Sequence, residues 1–170
     1  MNGVKLYSNP SHSDFRGKFL RTFDRELIDL DNNLNIVQTS VSFNERAGTL
    51  RGLHYQISPA MEWKIIRCIQ GEVFDVLLDL RKNEPTYGTW VANILSEENN
   101  LILTVPPGVA HGYLTLRSNS IISYAMTDYY NESLSRRIHW NDPKLNISWI
   151  SMPLYVSDED NRGAAWPQEF

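Results

Sequence analysis

The sequence is poor in features that mark several large classes of protein. It holds one cysteine, Cys68, in 170 residues, so no disulfide forms within the chain. No apolar run approaches the ~20 residues that cross a bilayer as a helix. The first residues, MNGVKLYSNPSHSDFRG, lack the apolar core of a secretory signal. With a lone thiol suited to a reducing compartment, these absences lead us to expect a cytoplasmic protein. Neither sign of charge dominates: 16 Lys and Arg against 20 Asp and Glu leave a formal net charge of -4. Spread along the chain, that balance excludes a protein that grips nucleic acid or anionic membrane through its overall field. Repeats, low-complexity tracts and linkers are also missing, so one domain over 1–170 is expected. A chain of this length buries roughly 70% of its unfolded surface and needs no staple. Helical periodicity is scarce: 24–30 offers two turns and 131–136 one short piece, neither long enough to organise a fold.

What the sequence does have is a period of two. In Glu72–Leu80, Phe74, Val76, Leu78 and Leu80 share one face, and Leu101, Leu103 and Val105 share another. Further strands are predicted over 17–23, 35–43, 48–56, 64–69, 89–95, 112–116 and 120–130. Turn-forming stretches such as Lys82-Asn83-Glu84-Pro85 and Pro106-Pro107-Gly108 separate them. Many short strands at short intervals indicate an all-β sandwich or barrel. The stretch from Trp140 onward lacks sustained periodicity and is expected to wrap the barrel as irregular chain.

Several strands carry polar residues on faces that burial would make apolar, and an unpaired polar group costs roughly 1–3 kcal/mol there. Gln38, Ser40 and Ser42 share a face of their strand, opposite Val37, Val41 and Phe43. His54 shares a face with Leu50, Gly52 and Gln56, and Lys64 with Ile66 and Cys68. Tyr124 and Tyr130, an even number apart, project with Ile122 and Met126. Taken singly, a strand histidine or tyrosine is more often a structural residue. A lysine on an apolar face is different, because it needs an anion or must lose its proton. Together these residues describe a barrel whose interior is a ligand cavity.

His54 and His111 invite a metal, and Pro106-Pro107-Gly108-Val109-Ala110-His111 has the P-x-G-x-x-H spacing of metal-binding cupins. The remaining ligands are missing: Gln56 stands where a second histidine would follow the first, and Lys64 adds positive charge. No metal and no cofactor are expected. His12 and His139 lie in polar contexts and read as surface residues.

Five ordered blocks then carry a resemblance. They are Arg51-Gly52-Leu53-His54-Tyr55-Gln56, Gly71 to Arg81, Pro106 to Tyr113, Tyr124 to Tyr130, and Trp140-Asn141-Asp142-Pro143. Asp14-Phe15-Arg16-Gly17 and Ser157-Asp158-Glu159-Asp160 add terminal motifs. In order and spacing the chain resembles the dTDP-4-dehydrorhamnose 3,5-epimerase family over nearly its whole length. The resemblance implies an all-β cupin-type jelly-roll barrel with a few short helices. It also implies a homodimer in which N-terminal chain helps complete the neighbour's site, and a metal-independent isomerase of deoxysugar biosynthesis. The expected reaction is epimerisation at C3, or at C3 and C5, of a nucleotide-linked 4-keto-6-deoxyhexose.

Such a reaction needs a base for the acidified C–H, a stabiliser of the enolate oxygen and an acid on the opposite face. By resemblance His54 is the base, Asp160 orients its ring, Lys64 meets the enolate and Tyr124 is the acid. Arg16 and Arg51 resemble diphosphate and nucleotide contacts, His111 borders the same cavity, and Tyr130 resembles the ring that stacks on the base. Gln38 belongs to the same substrate-binding set. This chain departs from the family at Arg21, where many members carry Glu, and at Ser40, where they carry Asn. Glu159 replaces a lysine and Ser135 an acidic residue. These departures touch substrate contacts, so a 3,4-ketoisomerase and a non-catalytic nucleotide-sugar-binding protein remain alternative readings.

Overall fold

The computed structural model describes residues 1–28 and 35–167. Its chain order begins with β1 (Lys5–Ser8), β2 (Ser11–Asp14), β3 (Gly17–Leu20), β4 (Gln38–Asn44), β5 (Thr49–Gln56), β6 (Lys64–Gln70) and β7 (Glu72–Asp79). β8 (Trp90–Ser96), β9 (Leu101–Val105), β10 (Val109–Thr115) and β11 (Ser120–Met126) follow. A single 3-10 turn (Glu132–Leu134), β12 (Ser135–Arg137), β13 (Tyr155–Val156) and the short helix α1 (Asp158–Asn161) complete the described elements. One sheet runs β1-β9-β6-β11-β4. The other runs β12-β5-β10-β7-β8, with β13 added alongside β5, and β2 and β3 form a separate hairpin. The architecture is the expected all-β jelly-roll type, made of two facing sheets that remain open at their edges.

Alternation places different residues in three apolar layers. Between the sheets, Ile66, Cys68, Leu103, Val105 and Ile122 of the first meet Val73, Leu77, Val109 and Tyr113 of the second. The Phe74, Val76, Leu78 face of β7 points the other way, away from the first sheet. It is covered by the irregular C-terminal stretch, through Ile138, Leu145, Trp149 and Trp166. A third cluster lies on the outer side of the first sheet, where Ile28 packs on Ile65, Ile102 and Ala125. β7 therefore carries apolar residues on both faces because both are covered, with Asp75 and Asp79 buried among them. Cys68 is in the central layer, where burial above all pushes its thiol up to about 12.

Most strand boundaries lie within a few residues of those predicted, and the differences have simple causes. The 17–23 strand stops at Leu20, 35–43 begins at Gln38, and 120–130 ends at Met126. The 112–116 strand starts earlier, at Val109, which puts His111 inside the sheet. β1, β2, β12 and β13 were not anticipated; each is only two to four residues long, with β1 and β2 mostly exposed and β12 and β13 at most half-buried, so no apolar alternation marks it. The two turns expected over 24–30 reduce to a bend closed by Ile28 N donating to Asp24 O at 3.0 Å. Asp29 and Leu30 lie outside the described residues. His139, read as exposed, is half-buried and stacked on Trp140 at 5.9 Å.

One close approach positions the site. At Gly52, φ is +136° and an added Cβ would stand 2.4 Å from the Gly112 Cα. Across from it, a Cβ on Gly112 would meet Arg51 O at 2.9 Å. Two facing glycines thus let β5 and β10 press together where a side chain would force them apart. The ladder shifts register here, and His54 comes directly opposite His111.

Candidate active site

A cavity of about 400 Å³ opens between the two sheets. Gln38, Ser40 and Ser42 of β4, Lys64 of β6, and Tyr124 and Met126 of β11 line it from the first sheet. Arg51, His54 and Gln56 of β5, His111 and Tyr113 of β10, and Arg137 of β12 line it from the second. Tyr130, just beyond β11, stands at the rim and is 57% exposed. The even-spaced polar residues of the sequence therefore do converge on one chamber.

His54 is held by Asp160, Nε2 to Oδ1 at 2.6 Å. Asp160 reaches this point because α1 is capped by Ser157, whose Oγ accepts the Asp160 N–H at 3.1 Å. The carboxylate is 4% exposed. Burial, the largest single influence, raises its pKa, but the His54 hydrogen bond and charge, the Gly52 N–H and nearby Arg137 together hold it below the usual carboxylate value. Asp160 is thus an anion that accepts the Nε2 proton, leaving Nδ1 as the basic nitrogen of a neutral His54 ring.

On the opposite sheet, the Tyr124 phenol is held well above its ordinary pKa. Burial is the main cause, Tyr113 and Asp75 add to it, and Arg51 works against it. Such a phenol keeps its proton at neutral pH. Tyr113 itself is 1% exposed and shares its hydroxyl with Ser42 Oγ at 2.8 Å and Asn44 Oδ1 at 3.2 Å. Arg51 Nε also donates to Asn44 Oδ1, at 2.9 Å, which fixes the guanidinium at the cavity wall.

Lys64 lines the same cavity, its Nζ 3.1 Å from Glu62 Oε1 and 3.4 Å from the His54 carbonyl. His111 turns its Nε2 to Asp75 Oδ2 at 2.7 Å, and its ring meets Tyr124 edge-on at 6.2 Å. Asp75 is completely buried, and burial foremost pushes its carboxyl pKa up, against the influence of His111. Both cavity histidines therefore present Nε2 to a carboxylate.

Two of the expected contacts stand apart from the cavity. Arg16 is at the tip of the β2–β3 hairpin, paired with Asp14 and lying over the Phe15 ring. Arg21 lies 3.7 Å from Asp24, while its carbonyl accepts from Asn9 and Arg67. Sequence reasoning overlooked Glu62, Tyr113 and Arg137. Glu62 precedes its strand, but it falls two residues before Lys64, and that even spacing was the available signal.

A family model described as dTDP-4-dehydrorhamnose 3,5-epimerase matches residues 1–168. The chain is 41% identical over 158 residues to a protein of that name from Sinorhizobium fredii, covering 92% of this chain and 80% of the other. A crystal structure of a dTDP-4-dehydrorhamnose 3,5-epimerase from Bacillus anthracis, with TDP and PPi bound, is similar with a TM-score of 0.90. The two are 36% identical, covering 95% of this chain and 93% of that one. A dTDP-6-deoxy-D-glucose-3,5-epimerase from Legionella pneumophila, in complex with dTDP-4-keto-L-rhamnose, also gives 0.90. Here identity is 35%, covering 97% and 88%.

Proposed function

Because the chain belongs to the dTDP-4-dehydrorhamnose 3,5-epimerase family, we propose that it inverts C3 and C5 of a dTDP-linked 4-keto-6-deoxyhexose. One observation carries the reading: His54 and Tyr124 project from opposed sheets into one cavity, which Lys64 also lines. A sugar ring lying between the sheets would meet a base on one face and an acid on the other. His54 Nδ1 takes the proton from the carbon beside the ketone, and the electron pair moves onto the C4 oxygen. Lys64 donates to that enolate, and Asp160 stabilises the imidazolium. Tyr124 then gives its proton to the same carbon from the opposite face, and the protein exchanges protons with solvent to restore both groups.

Arg51 suits the diphosphate, which a fixed guanidinium can grip with two N–H groups. Tyr130 at the rim suits the base, while Gln38, Ser40 and His111 contact the sugar and its linkage. The active unit is a homodimer of single-domain chains working in the cytoplasm. Its support is a sheet face turned outward: Val37, Val41 and Phe43 of the β4 region are 38%, 49% and 69% exposed. The β2–β3 hairpin carries Phe15 at 98% and Phe19 at 69%. A second copy covering these rings would bring Arg16 and Arg21 toward a neighbour's cavity. Sedimentation should show a dimer for the parent and a monomer for the Val41→Asp, Phe43→Asp variant. A parent that sediments as a monomer refutes the assembly.

The activity itself is tested by incubating the protein with dTDP-4-keto-6-deoxyglucose in deuterated water and following the product by NMR. Deuterium at both C3 and C5 with inverted configuration is expected. Label at C3 alone identifies a 3-epimerase, and a carbonyl moved to C3 identifies a ketoisomerase. Tight binding without label identifies a non-catalytic binder and overturns the proposal.

A further inference from the structure

Glu62 is a carboxylate inside the cavity wall to which the reaction above gives no role. It is 8% exposed and both of its oxygens are committed. Oε1 faces Lys64 Nζ at 3.1 Å, and Oε2 accepts from Gln56 Nε2 at 2.9 Å. We propose that Glu62 is a positioning residue that aims Lys64 at the enolate oxygen, an inference that rests on the enolate role given to Lys64.

An ammonium has three N–H groups. One goes to Glu62 and a long one to the His54 carbonyl. With those two directions set, one N–H is left for a ligand in the chamber that Lys64 lines. Glu62 can set its direction because the chain is extended there, so 62 and 64 project to the same side two residues apart. The carboxylate is itself held in place from behind. Gln56 Oε1 accepts the Asn131 N–H at 2.7 Å, which fixes which end of the amide is oxygen. Its Nε2 must then face Glu62, the Ala60 carbonyl at 2.9 Å and the Tyr129 carbonyl at 3.2 Å.

Residue 62 therefore meets two donors, Lys64 Nζ and Gln56 Nε2, and only a carboxylate offers an acceptor to each. A glutamine has the same shape but one acceptor. Whichever way its amide turns, an NH₂ group faces a donor. Gln56 keeps its ties to Ala60, Tyr129 and Asn131 in either case, so the segment carrying Tyr130 stays in place. The effect should fall on the sugar end of the cavity and spare the nucleotide end.

The test is a double-mutant cycle with Glu62→Gln and Lys64→Met, with melting temperature confirming the fold of each variant. Loss of one charge-assisted hydrogen bond predicts a kcat about tenfold lower for Glu62→Gln, and dTDP affinity within about twofold of the parent. In the Lys64→Met background the same change should alter the rate by less than about twofold, because it acts through the lysine. The inference is overturned if Glu62→Gln keeps the parent kcat, or if its loss multiplies with that of Lys64→Met. In those cases an impaired Lys64→Met still leaves the lysine's own role standing. Parent kcat in Lys64→Met removes that role, and this inference with it. Should Glu62→Gln not fold, Glu62→Asp draws both acceptors back by one methylene, and the same lowered kcat with unchanged dTDP affinity is required of it.

Discussion

In the His54→Asn variant, deuterium uptake at C3 and C5 should fall roughly 10²- to 10⁴-fold, the usual contribution of a positioned general base. Asparagine is smaller and its amide stops short of the position His54 Nε2 holds, but the Asp160 carboxylate still receives the Gly52 N–H at 3.2 Å and faces Arg137 Nε at 3.3 Å. The buried anion therefore keeps two partners and the fold should survive, which the melting temperature will report. What disappears is the basic ring nitrogen opposite Tyr124. Because Arg51 and Tyr130 are untouched, calorimetric affinity for dTDP should change little. Exchange at the parent rate in His54→Asn would remove histidine from the chemistry altogether. Exchange lost together with dTDP binding would point instead to collapse of the cavity.

Tyr124→Phe should separate two events that the parent performs together. The substitution deletes one oxygen from a partly buried ring and leaves its packing against the central apolar layer in place. His54 can still take the proton and return a deuteron from solvent to the same face, so label should continue to enter within about tenfold of the parent rate. Net inversion needs a donor on the other face and should fall roughly 10²- to 10³-fold, as loss of a general acid does. NMR of the substrate pool would then show deuterium at carbons of unchanged configuration. If inversion proceeds normally in Tyr124→Phe, the acid is another group. If exchange and inversion fall equally, the phenol assists removal of the proton as well. The raised pKa of Tyr124, due mainly to burial, supports the acid role because the proton is present at neutral pH and is released only to a strong base such as an enolate carbon.

The all-β class and most of the cavity were legible because a period of two survives wherever one face of a strand is covered. Gln38, Ser40, His54, Lys64 and Tyr124 interrupted apolar alternation, and the structure gathers all five around one chamber. The same logic was blind where both faces are covered. On β7 both the Phe74, Val76, Leu78 face and the face of Val73, Asp75 and Leu77 are buried, and alternation does not say which looks into the chamber. Asp160 lies 106 residues from His54, and no local pattern predicts that contact; family resemblance alone pointed to it. Glu62 escaped because it lies two residues before the strand whose alternation it continues. Arg16 and Arg21 lie off the cavity because a single chain is incomplete under the proposed assembly, and sequence spacing does not say which copy a residue serves.

β4 carries a consequence of its own. Its side chains alternate between the chamber and the outer face, so Ser40 and Val41 are adjacent residues on opposite sides of a wall one backbone thick. No packed layer lies between the two to absorb a displacement. Pressure on the outer face is therefore felt directly in the chamber, as a drumhead transmits a touch. Changes at Val37, Val41 or Phe43 are changes to the substrate's own container, although none of those side chains meets it.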